Sequence, residues 1–292
     1  GQEWVVDTGF EQDDAQSRNR NLLRTAAEGV ALLGVNAETV SDVIMTHFHY
    51  DHAGGVNQFP NATFHVQDDE MSFATGRDMT HKAFRHAFSV RHIQDLVGRV
   101  FSERVTFHAG DVELSPGLTL HHIGGHTRGL QVVRIDTGSS VVVLASDASH
   151  YWANMDEGRP FPIVDDLSKM IQGWQTLRHL AGSGGVIVPG HDPLVFERFP
   201  PSSPQLEGVA VRDQSDALSR IAHVCDVTHV DLEKGSYSVT EGRERTSVPI
   251  TQQYTFLGVS FDKVTRRPRC WAEPRSAVSW LQVRPCSRGR ER

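Results

Sequence analysis

The chain has 292 residues, of which 38% are hydrophobic and 22% are charged, a composition typical of a globular protein with one large or two ordinary domains. Its apolar runs are shorter than the roughly 20 residues that a membrane span requires, and its first ten residues lack a signal-peptide pattern. The net charge of −7 argues against a nucleic-acid partner. We therefore expect a cytoplasmic protein that binds neither nucleic acid nor membrane.

The first predicted elements are a strand and a helix that form scaffold. Residues 3–7 are typical of a strand that ends in the turn Asp7-Thr8-Gly9. Apolar side chains at helical spacing predict a helix over residues 20–33, with Gly34 as its stop. The apolar run Val43-Ile44-Met45 predicts the next strand, which is buried.

A cluster of metal-ligand side chains follows this strand directly. Four of the six residues from His47 to His52 are histidine or aspartate, the ligand types expected of zinc. His47 and His49 can turn their imidazoles to one side of an extended segment, while Asp51 and His52 can address a second point. This arrangement suits two cations better than one. The alternative is a solvated loop that is rich in histidine by coincidence, since the chain holds 16 histidines.

Residues 68–105 are predicted to be helical in pieces, after a strand over residues 62–66. One interpretation is that Met71, Phe73, Phe84 and Phe88 form an apolar wall over the metal site. The alternative is a pair of helices that only packs in the core, and it is favoured for most of these residues. His81, His86 and His92 lack ligand spacing and are interpreted as surface or hydrogen-bonded helix residues.

Three further predicted strand ends each deliver one candidate ligand. The run 118–123 leads through two glycines to His126, the run 141–145 leads to Asp147, and the run 184–190 leads to His191. A hairpin is predicted through residues 136–138, and a helix over residues 167–180. Alone, His126 or His191 would be interpreted as a satisfied core or surface histidine. Together with the first cluster, they indicate a shared metal site.

Taken in order, these stretches resemble the metallo-β-lactamase superfamily. The resemblance lies in Thr-His-Phe-His-Tyr-Asp-His, Gly-Gly-His-Thr, Ala-Ser-Asp-Ala-Ser and Pro-Gly-His-Asp. It implies an α/β fold, a layered αββα sandwich, and two bound Zn²⁺ ions, with iron, manganese or cobalt also compatible with these ligands. The implied ligand sets are His47, His49 and His126 for the first ion and Asp51, His52 and His191 for the second. Asp147 would bridge the two ions.

Three longer stretches are similar to the N-acyl-homoserine lactonase branch of this superfamily. They span residues 145–151, 158–164 and 189–193, and the likeness covers roughly Trp4 to Arg212. It implies hydrolysis of the lactone ring of N-acyl-homoserine lactones, small-molecule substrates, by a hydroxide shared between two metal ions. The implied catalytic residues are Asp147 and Asp51, with Asp51 a candidate to protonate the leaving oxygen.

Substrate contacts are less constrained by this likeness. Lactonases of this branch place a tyrosine three residues after the bridging aspartate, where this chain has His150 followed by Tyr151. Either side chain is a candidate for the substrate carbonyl, and Phe84 and Phe88 are candidates for the acyl chain. The sequence does not indicate the preferred chain length, the native metal or the oligomeric state.

Two alternative functions use the same fold. A glyoxalase-II-like thioesterase, or another dinuclear-zinc esterase, has the same ligands. A thioesterase for glutathione or coenzyme A conjugates should show a basic patch near the site, and the sequence shows no clear one. A non-catalytic protein could also keep the fold. Because a fold alone would not require seven ligands, the hydrolase is favoured.

We expect a hydrolase domain over residues 1–212 and a C-terminal extension over residues 213–292, either a small appended domain or a disordered tail. The superfamily fold normally has one or two strands before residue 3, so the fold is expected to lack its first strands and to expose a sheet edge. The extension contains β-like runs at 237–240 and 253–261 and is arginine-rich from Arg266. Its three cysteines, Cys225, Cys270 and Cys286, fit neither a disulfide framework nor a zinc site by spacing.

Overall fold

The computed structural model describes residues 2–201 and 204–206, and the backbone of residues 210–214, 219–223, 236–241, 244–249, 257–261 and 282–283. Among these residues, every helix is too short or too polar to cross a bilayer. The chain forms two principal β-sheets with helices packed against them, the mixed α/β sandwich that the sequence predicts.

Fifteen strands are described, and they build the two principal sheets and one separate hairpin. The strands are β1 Gln2–Val6, β2 Asp42–Ile44, β3 Thr63–Gln67, β4 Val105–His108, β5 Val112–Ser115, β6 Leu118–His122, β7 Gln131–Asp136, β8 Val141–Ser146, β9 Val186–Pro189, β10 Ala210–Gln214, β11 Ser219–His223, β12 Ser236–Glu241, β13 Glu244–Pro249, β14 Leu257–Phe261 and β15 Gln282–Val283. The first sheet has the order β10-β11-β14-β1-β2-β3-β4 with β15 beside β14, and the second has the order β5-β6-β7-β8-β9. Strands β12 and β13 pair with each other.

The α-helices occupy the segments between these strands. They are α1 Gln12–Ser17, α2 Ala26–Leu32, α3 Tyr50–Ala53, α4 Asp68–Thr75, α5 Lys82–Arg85, α6 Val90–Phe101, α7 Trp152–Glu157, α8 Leu167–Ala181 and α9 Leu194–Arg198. The segment predicted to be helical in pieces therefore contains α4, α5 and α6, and the predicted helix near residues 167–180 is α8.

Alternating side chains of β1 divide the interior into two cores. Trp4 and Val6 face the second sheet, where they join the apolar side chains of β6, β7, β8 and α8. Val5 faces the other way, into a core that α2, α4 and α6 close. Because successive strand residues point to opposite faces, a central strand buried on both faces is largely apolar. The buried apolar residues of the parallel strands β1, β2 and β3 are Trp4, Val5, Val6, Val43, Ile44, Phe64 and Val66. Buried His65 and Gln67 of β3 have polar partners, Asp42 and Gln131.

The helix predicted over residues 20–33 begins later in the structure, at Ala26. Thr25 forms a capping box, in which its Oγ1 accepts from the Glu28 backbone N–H while the Glu28 carboxylate accepts from the Thr25 N–H at 2.7 Å. This cap satisfies N–H groups that would be unpaired at a helix start. Leu22 instead packs in a small cluster with Phe10, and the prediction of one continuous helix is wrong.

The strand β1 is not at an exposed edge of its sheet. It pairs in parallel with β2 on one side and antiparallel with β14 on the other. Strands from beyond residue 212 thus take part in the first sheet, while the domain division at that residue stays a prediction. The β-like run at 237–240 lies within β12, and 257–261 is β14. The three cysteines and the arginines from Arg266 onward lie outside the described residues.

Candidate metal centre

The seven predicted ligands come together at one end of the sandwich. The loop from His47 to His52 follows β2, Asp147 directly follows β8, and His191 comes two residues after the end of the parallel strand β9. His126 is carried by the turn after β6, in which Gly125 has a φ of 91°. The carboxyl ends of strands therefore supply the ligands, as expected for an α/β site.

The ligands form two groups within which the candidate donor atoms are at most 4.8 Å apart. One group is His47, His49, His126 and Asp147, and the other is Asp51, His52 and His191. Asp147 lies between them: its Oδ2 is 3.1 Å from His126 Nε2, and its Oδ1 is 2.9 Å from His191 Nε2. This division agrees with the two ligand sets and the bridging carboxylate that the resemblance implies. The roles of the individual residues stay predictions.

The hydrogen bonds around His126 indicate that a cation belongs in the first group. His126 Nδ1 lies 2.7 Å from the Ile163 carbonyl, which can only accept, so Nδ1 carries the proton. In the neutral ring, Nε2 is then a bare lone pair. It faces the Asp147 carboxylate at 3.1 Å and His49 Nδ1 at 2.9 Å. Lone pairs that converge on a carboxylate repel unless a cation lies among them.

His52 repeats this arrangement in the second group. Its Nδ1 donates to Asp7 Oδ2 at 2.8 Å, which leaves Nε2 facing Asp147 Oδ1 at 3.4 Å. Buried His52 Nε2, His47 Nε2 and Asp147 Oδ1 have no hydrogen-bond partner among the described residues. Because unpaired buried polar atoms are costly, these atoms fit metal ions, and imidazole with carboxylate suits zinc and related transition metals.

The pKa values of the ligands differ between the two groups. Burial, with the neighbouring imidazoles, holds the pKa of His47 and of His49 well below the usual value. Burial acts in the same direction on His52 and His191, but the Asp147 charge outweighs it and raises both pKa values. Burial alone would raise the pKa of Asp147, and the surrounding histidines hold it well below its usual value. The pocket therefore stabilises a carboxylate encircled by imidazoles.

Asp7 is a residue that the sequence analysis placed only in a turn. Besides binding His52, its carboxylate accepts from the Thr46 N–H and from Thr46 Oγ1, both at 2.7 Å. Asp7 has a φ of 59° and Ser146, which precedes Asp147, has a φ of 44°. Such backbone strain is concentrated at functional sites. The polar residue at the end of a strand was the available signal for Asp7.

Glu70 is a second residue that sequence reasoning missed. This buried carboxylate on α4 accepts from the Phe48 N–H at 2.9 Å, from Thr127 Oγ1 at 2.6 Å and from the Gly129 N–H at 3.0 Å. It therefore ties the loop of His47 and His49 to the loop of His126. The sequence carried no signal for this role, because acidic residues are common in the first turn of a helix.

His150 and Tyr151, the predicted substrate contacts, differ in their placement. His150 Nε2 lies 2.9 Å from Asp147 Oδ2, and its ring stacks on Phe161 with centroids 3.6 Å apart. Burial lowers the pKa of His150 to about 4. Tyr151 is half-buried at the start of α7. Only His150 of the pair thus joins the ligand cluster.

Phe88 lies between the metal centre and a cavity of about 570 Å³. Its ring meets His49 edge-on with centroids 4.6 Å apart, and it lines the cavity together with Met79 and Ile93. Phe84 packs against Phe73, one ring further from the ligands. Much of the predicted apolar wall is therefore also core, as the alternative held.

Three basic side chains, Lys82, Arg85 and His86, also line this cavity. The Arg85 guanidinium donates to the Thr80 carbonyl, and His86 Nδ1 lies 2.8 Å from the Ala83 carbonyl. Within the described part of the chain, none of the three pairs with a carboxylate. The cavity thus joins an apolar interior to an uncompensated basic rim.

The comparisons with known proteins agree with this geometry. The sequence profile described as Metallo-beta-lactamase superfamily matches residues 2–191. A probable metallo-hydrolase of Mycobacterium bovis is 29% identical over 186 residues, covering 55% of this chain and 57% of the relative. An N-acyl homoserine lactonase of Bacillus cereus is 28% identical over 178 residues, covering 55% of this chain and 65% of the relative. The chain therefore spans less than two thirds of the length of these curated relatives.

Solved structures show the same fold. A quorum-quenching N-acyl homoserine lactone lactonase superposes with a TM-score of 0.55 at 25% identity, covering 65% of this chain and 75% of the other. A dizinc quorum-quenching lactonase in complex with a product superposes with a TM-score of 0.53 at 19% identity, covering 73% of each chain, and supports the fold alone. Sequence profile, sandwich architecture and ligand constellation agree, and the chain belongs to the metallo-β-lactamase superfamily.

Proposed function

We propose that this protein hydrolyses the lactone ring of N-acyl-homoserine lactones with two bound metal ions and so degrades quorum-sensing signals. Zinc is the metal that we expect first. The observation that carries the proposal is the pair of ligand groups on either side of Asp147. The likeness to proteins named N-acyl homoserine lactonases supports the choice of substrate. A cytoplasmic location stays a prediction from the sequence.

When bound, the two ions would lower the pKa of water and polarise the lactone carbonyl. The protein's own residues prepare this chemistry. Asp7 and the Ile163 carbonyl fix the proton positions of His52 and His126, so that each presents a lone pair to the site. Asp51, half-buried beside His191, is the proposed donor of a proton to the leaving ring oxygen.

The acyl chain is proposed to lie against Phe88, whose ring contacts His49 of the metal centre and also lines the cavity. A cavity of about 570 Å³ lies within the range of small-molecule sites, which is roughly 300–1,000 Å³. Phe84, which packs against Phe73, would support the apolar surface for the acyl chain. His150 or Tyr151 would contact the lactone carbonyl. Buried Phe161, stacked on His150, excludes water from that side.

The direct test is acid release from a short and a long N-acyl-homoserine lactone by zinc-loaded protein, followed with a pH indicator. We expect turnover that a chelator removes and that Asp147→Asn reduces about 100-fold or more, since even outer-shell changes at metal sites cost 10–100-fold. Asp156→Asn, on an exposed carboxylate of α7, is the matched control and should retain activity. Loaded protein that releases no acid from either lactone would refute the proposal.

A glyoxalase-II-like thioesterase is the second candidate, and the basic rim of Lys82, Arg85 and His86 favours it. This rim is the kind of patch that would bind the carboxylates of glutathione or the phosphates of coenzyme A. Assays of S-acyl glutathione and acyl-coenzyme A beside the lactones distinguish the two functions. Thioester turnover that exceeds lactone turnover, and that Lys82→Ala with Arg85→Ala reduces, would favour the thioesterase.

A further inference from the structure

We infer that His150 is itself a metal ligand, sharing one ion with Asp147 and His191. The inference rests on the proposed metal centre and extends its ligand set beyond the seven residues. The candidate donor atoms of His150, Asp147 and His191 all lie within 4.8 Å of one another. An imidazole nitrogen binds zinc at about 2.0–2.1 Å, so two donors of one ion lie at most about 4.2 Å apart. The spacing of these three donors is close to that limit, and we infer that they close around one ion when it binds.

The approach of His150 to the Asp147 carboxylate matches that of His191, one of the seven predicted ligands. His150 Nε2 lies 2.9 Å from Asp147 Oδ2, and His191 Nε2 lies 2.9 Å from Asp147 Oδ1. The His150 and His191 rings are 4.7 Å apart between centroids. The two imidazoles therefore approach one carboxylate from both of its oxygens.

The surroundings of His150 hold its ring in this orientation. Phe161 covers one face of the ring nearly in parallel, with an interplanar angle of 13°. His126 meets the ring from another side, with centroids 5.5 Å apart. A ring confined in this way presents Nε2 to the site without a further loss of rotational freedom, which is how metal ligands are positioned.

The competing interpretation is a hydrogen bond from His150 Nε2–H to Asp147 Oδ2. The two interpretations differ in which ring nitrogen of His150 carries the proton. As a donor, His150 carries hydrogen on Nε2; as a ligand, it carries hydrogen on Nδ1 and a metal ion on Nε2. Among the described residues, Nδ1 makes no hydrogen bond that would oppose this second tautomer. At this position the lactonase branch has a tyrosine, whose phenol is not a usual zinc ligand, whereas the His150 imidazole is one.

This assignment changes the expected division of roles at the site. If His150 binds metal, it occupies a coordination position that would otherwise be open to water or substrate. Tyr151, half-buried at the start of α7, is then the residue of the pair left to contact the lactone carbonyl.

The test is nuclear magnetic resonance of zinc-loaded protein labelled with ¹⁵N-histidine, because metal-bound, protonated and bare ring nitrogens have distinct shifts. We expect a metal-bound nitrogen from His150 in addition to those of the five histidines of the two groups, and His150→Ala should remove that signal alone. His121→Ala is the matched control, because His121 is also 17% exposed and contacts a carboxylate, Asp111, at 2.7 Å. Competition with a chromophoric chelator should show one ion bound about tenfold or more weakly in His150→Ala and unchanged in His121→Ala.

A protonated Nε2 on His150 in the zinc-loaded wild-type protein would overturn the assignment. That measurement needs no variant, so it stands even where His150→Ala fails to fold. Neither readout depends on turnover: a metal-bound His150 in a protein that opens no lactone would refute the proposed function and leave this inference in place.

Discussion

Phe88 lies between the candidate metal centre and the cavity proposed for the acyl chain. Its ring contacts the predicted ligand His49 on one side and the cavity on the other, and its side chain is buried. An acyl chain in that cavity would lose apolar contact on truncation of this ring, and each buried methylene contributes about 0.8 kcal/mol. Short chains that end before the cavity would lose little.

We therefore expect Phe88→Ala to lower kcat/KM about tenfold for long-chain lactones, which corresponds to about 1.4 kcal/mol, and much less for short ones. The measurement is kcat/KM across a series of chain lengths. Phe101→Ala, on a phenylalanine that is 87% exposed at the end of α6, controls for general effects of ring removal. Equal losses at every chain length would show that Phe88 acts only as core.

For individual residues, the sequence predicted which residue types form the site better than it predicted which atom of each residue faces the metal. The clustered histidines and aspartates predicted a metal site, and the structure brings all seven predicted ligand residues together. Which nitrogen faces the metal was not predictable, because for His126 it depends on the Ile163 carbonyl, 37 residues away. The neighbourhood of His150 likewise depends on Phe161, in a separate loop.

At the scale of elements, the ligand loops are held together by α4. Glu70 on this helix accepts hydrogen bonds from the loop after β2 and from the loop after β6. Because a carboxylate only accepts, three donors can converge on it. An amide in its place would set an NH₂ group against at least one of these donors.

Glu70→Gln should accordingly lower the free energy of unfolding by about 1–3 kcal/mol, the cost of an unsatisfied buried donor. It should also weaken metal binding, because the loops of His47, His49 and His126 lose their common anchor. Thermal denaturation and chelator competition measure the two effects. Glu113→Gln, on an exposed carboxylate of β5, is the control. A Glu70→Gln protein with wild-type stability and affinity would exclude this role.

Strands were predicted more accurately than helix boundaries. Apolar runs identified β2, β6, β8 and β9, the four strands whose ends deliver ligands. The start of α2 was wrong because the capping box at Thr25 determines it, whereas apolar spacing extends back to Leu22. Spacing reports which side chains are buried, and a buried side chain need not lie in a helix.

At the scale of the whole molecule, metal binding is coupled to protonation. The Asp147 charge raises the pKa of His52 and His191, against the effect of burial. In metal-free protein near neutral pH, His52, whose pKa is raised well above its usual value, therefore holds a proton that a metal ion must displace. The raised pKa of His191 extends the pH range over which this side chain is protonated. His47 and His49, whose pKa values burial lowers, are already neutral and have no proton to release.

We expect zinc binding near neutral pH to release at least one proton, and affinity to increase as pH rises through the raised pKa values. At pH values above these raised pKa values, zinc binding should release fewer protons and its affinity should no longer increase with pH. Isothermal titration calorimetry in buffers of different ionisation enthalpy counts the protons. Asp7→Asn, which removes one charge that raises the pKa of His52, should reduce the count, whereas Asp156→Asn should not. Binding heats that are independent of the buffer would contradict this coupling.

The sandwich class, the order of the ligand residues and the family could be predicted from the amino-acid sequence, because they depend on local signals: apolar runs, glycine turns and ligand residues next to them. The support of these ligand residues became visible in the packed fold. Asp7 reaches His52 across 45 residues, Glu70 reaches Thr127 across 57, and β14 pairs with β1 from the far end of the chain. Such contacts arise when strands and helices pack together, and no residue's local propensity specifies its distant partner.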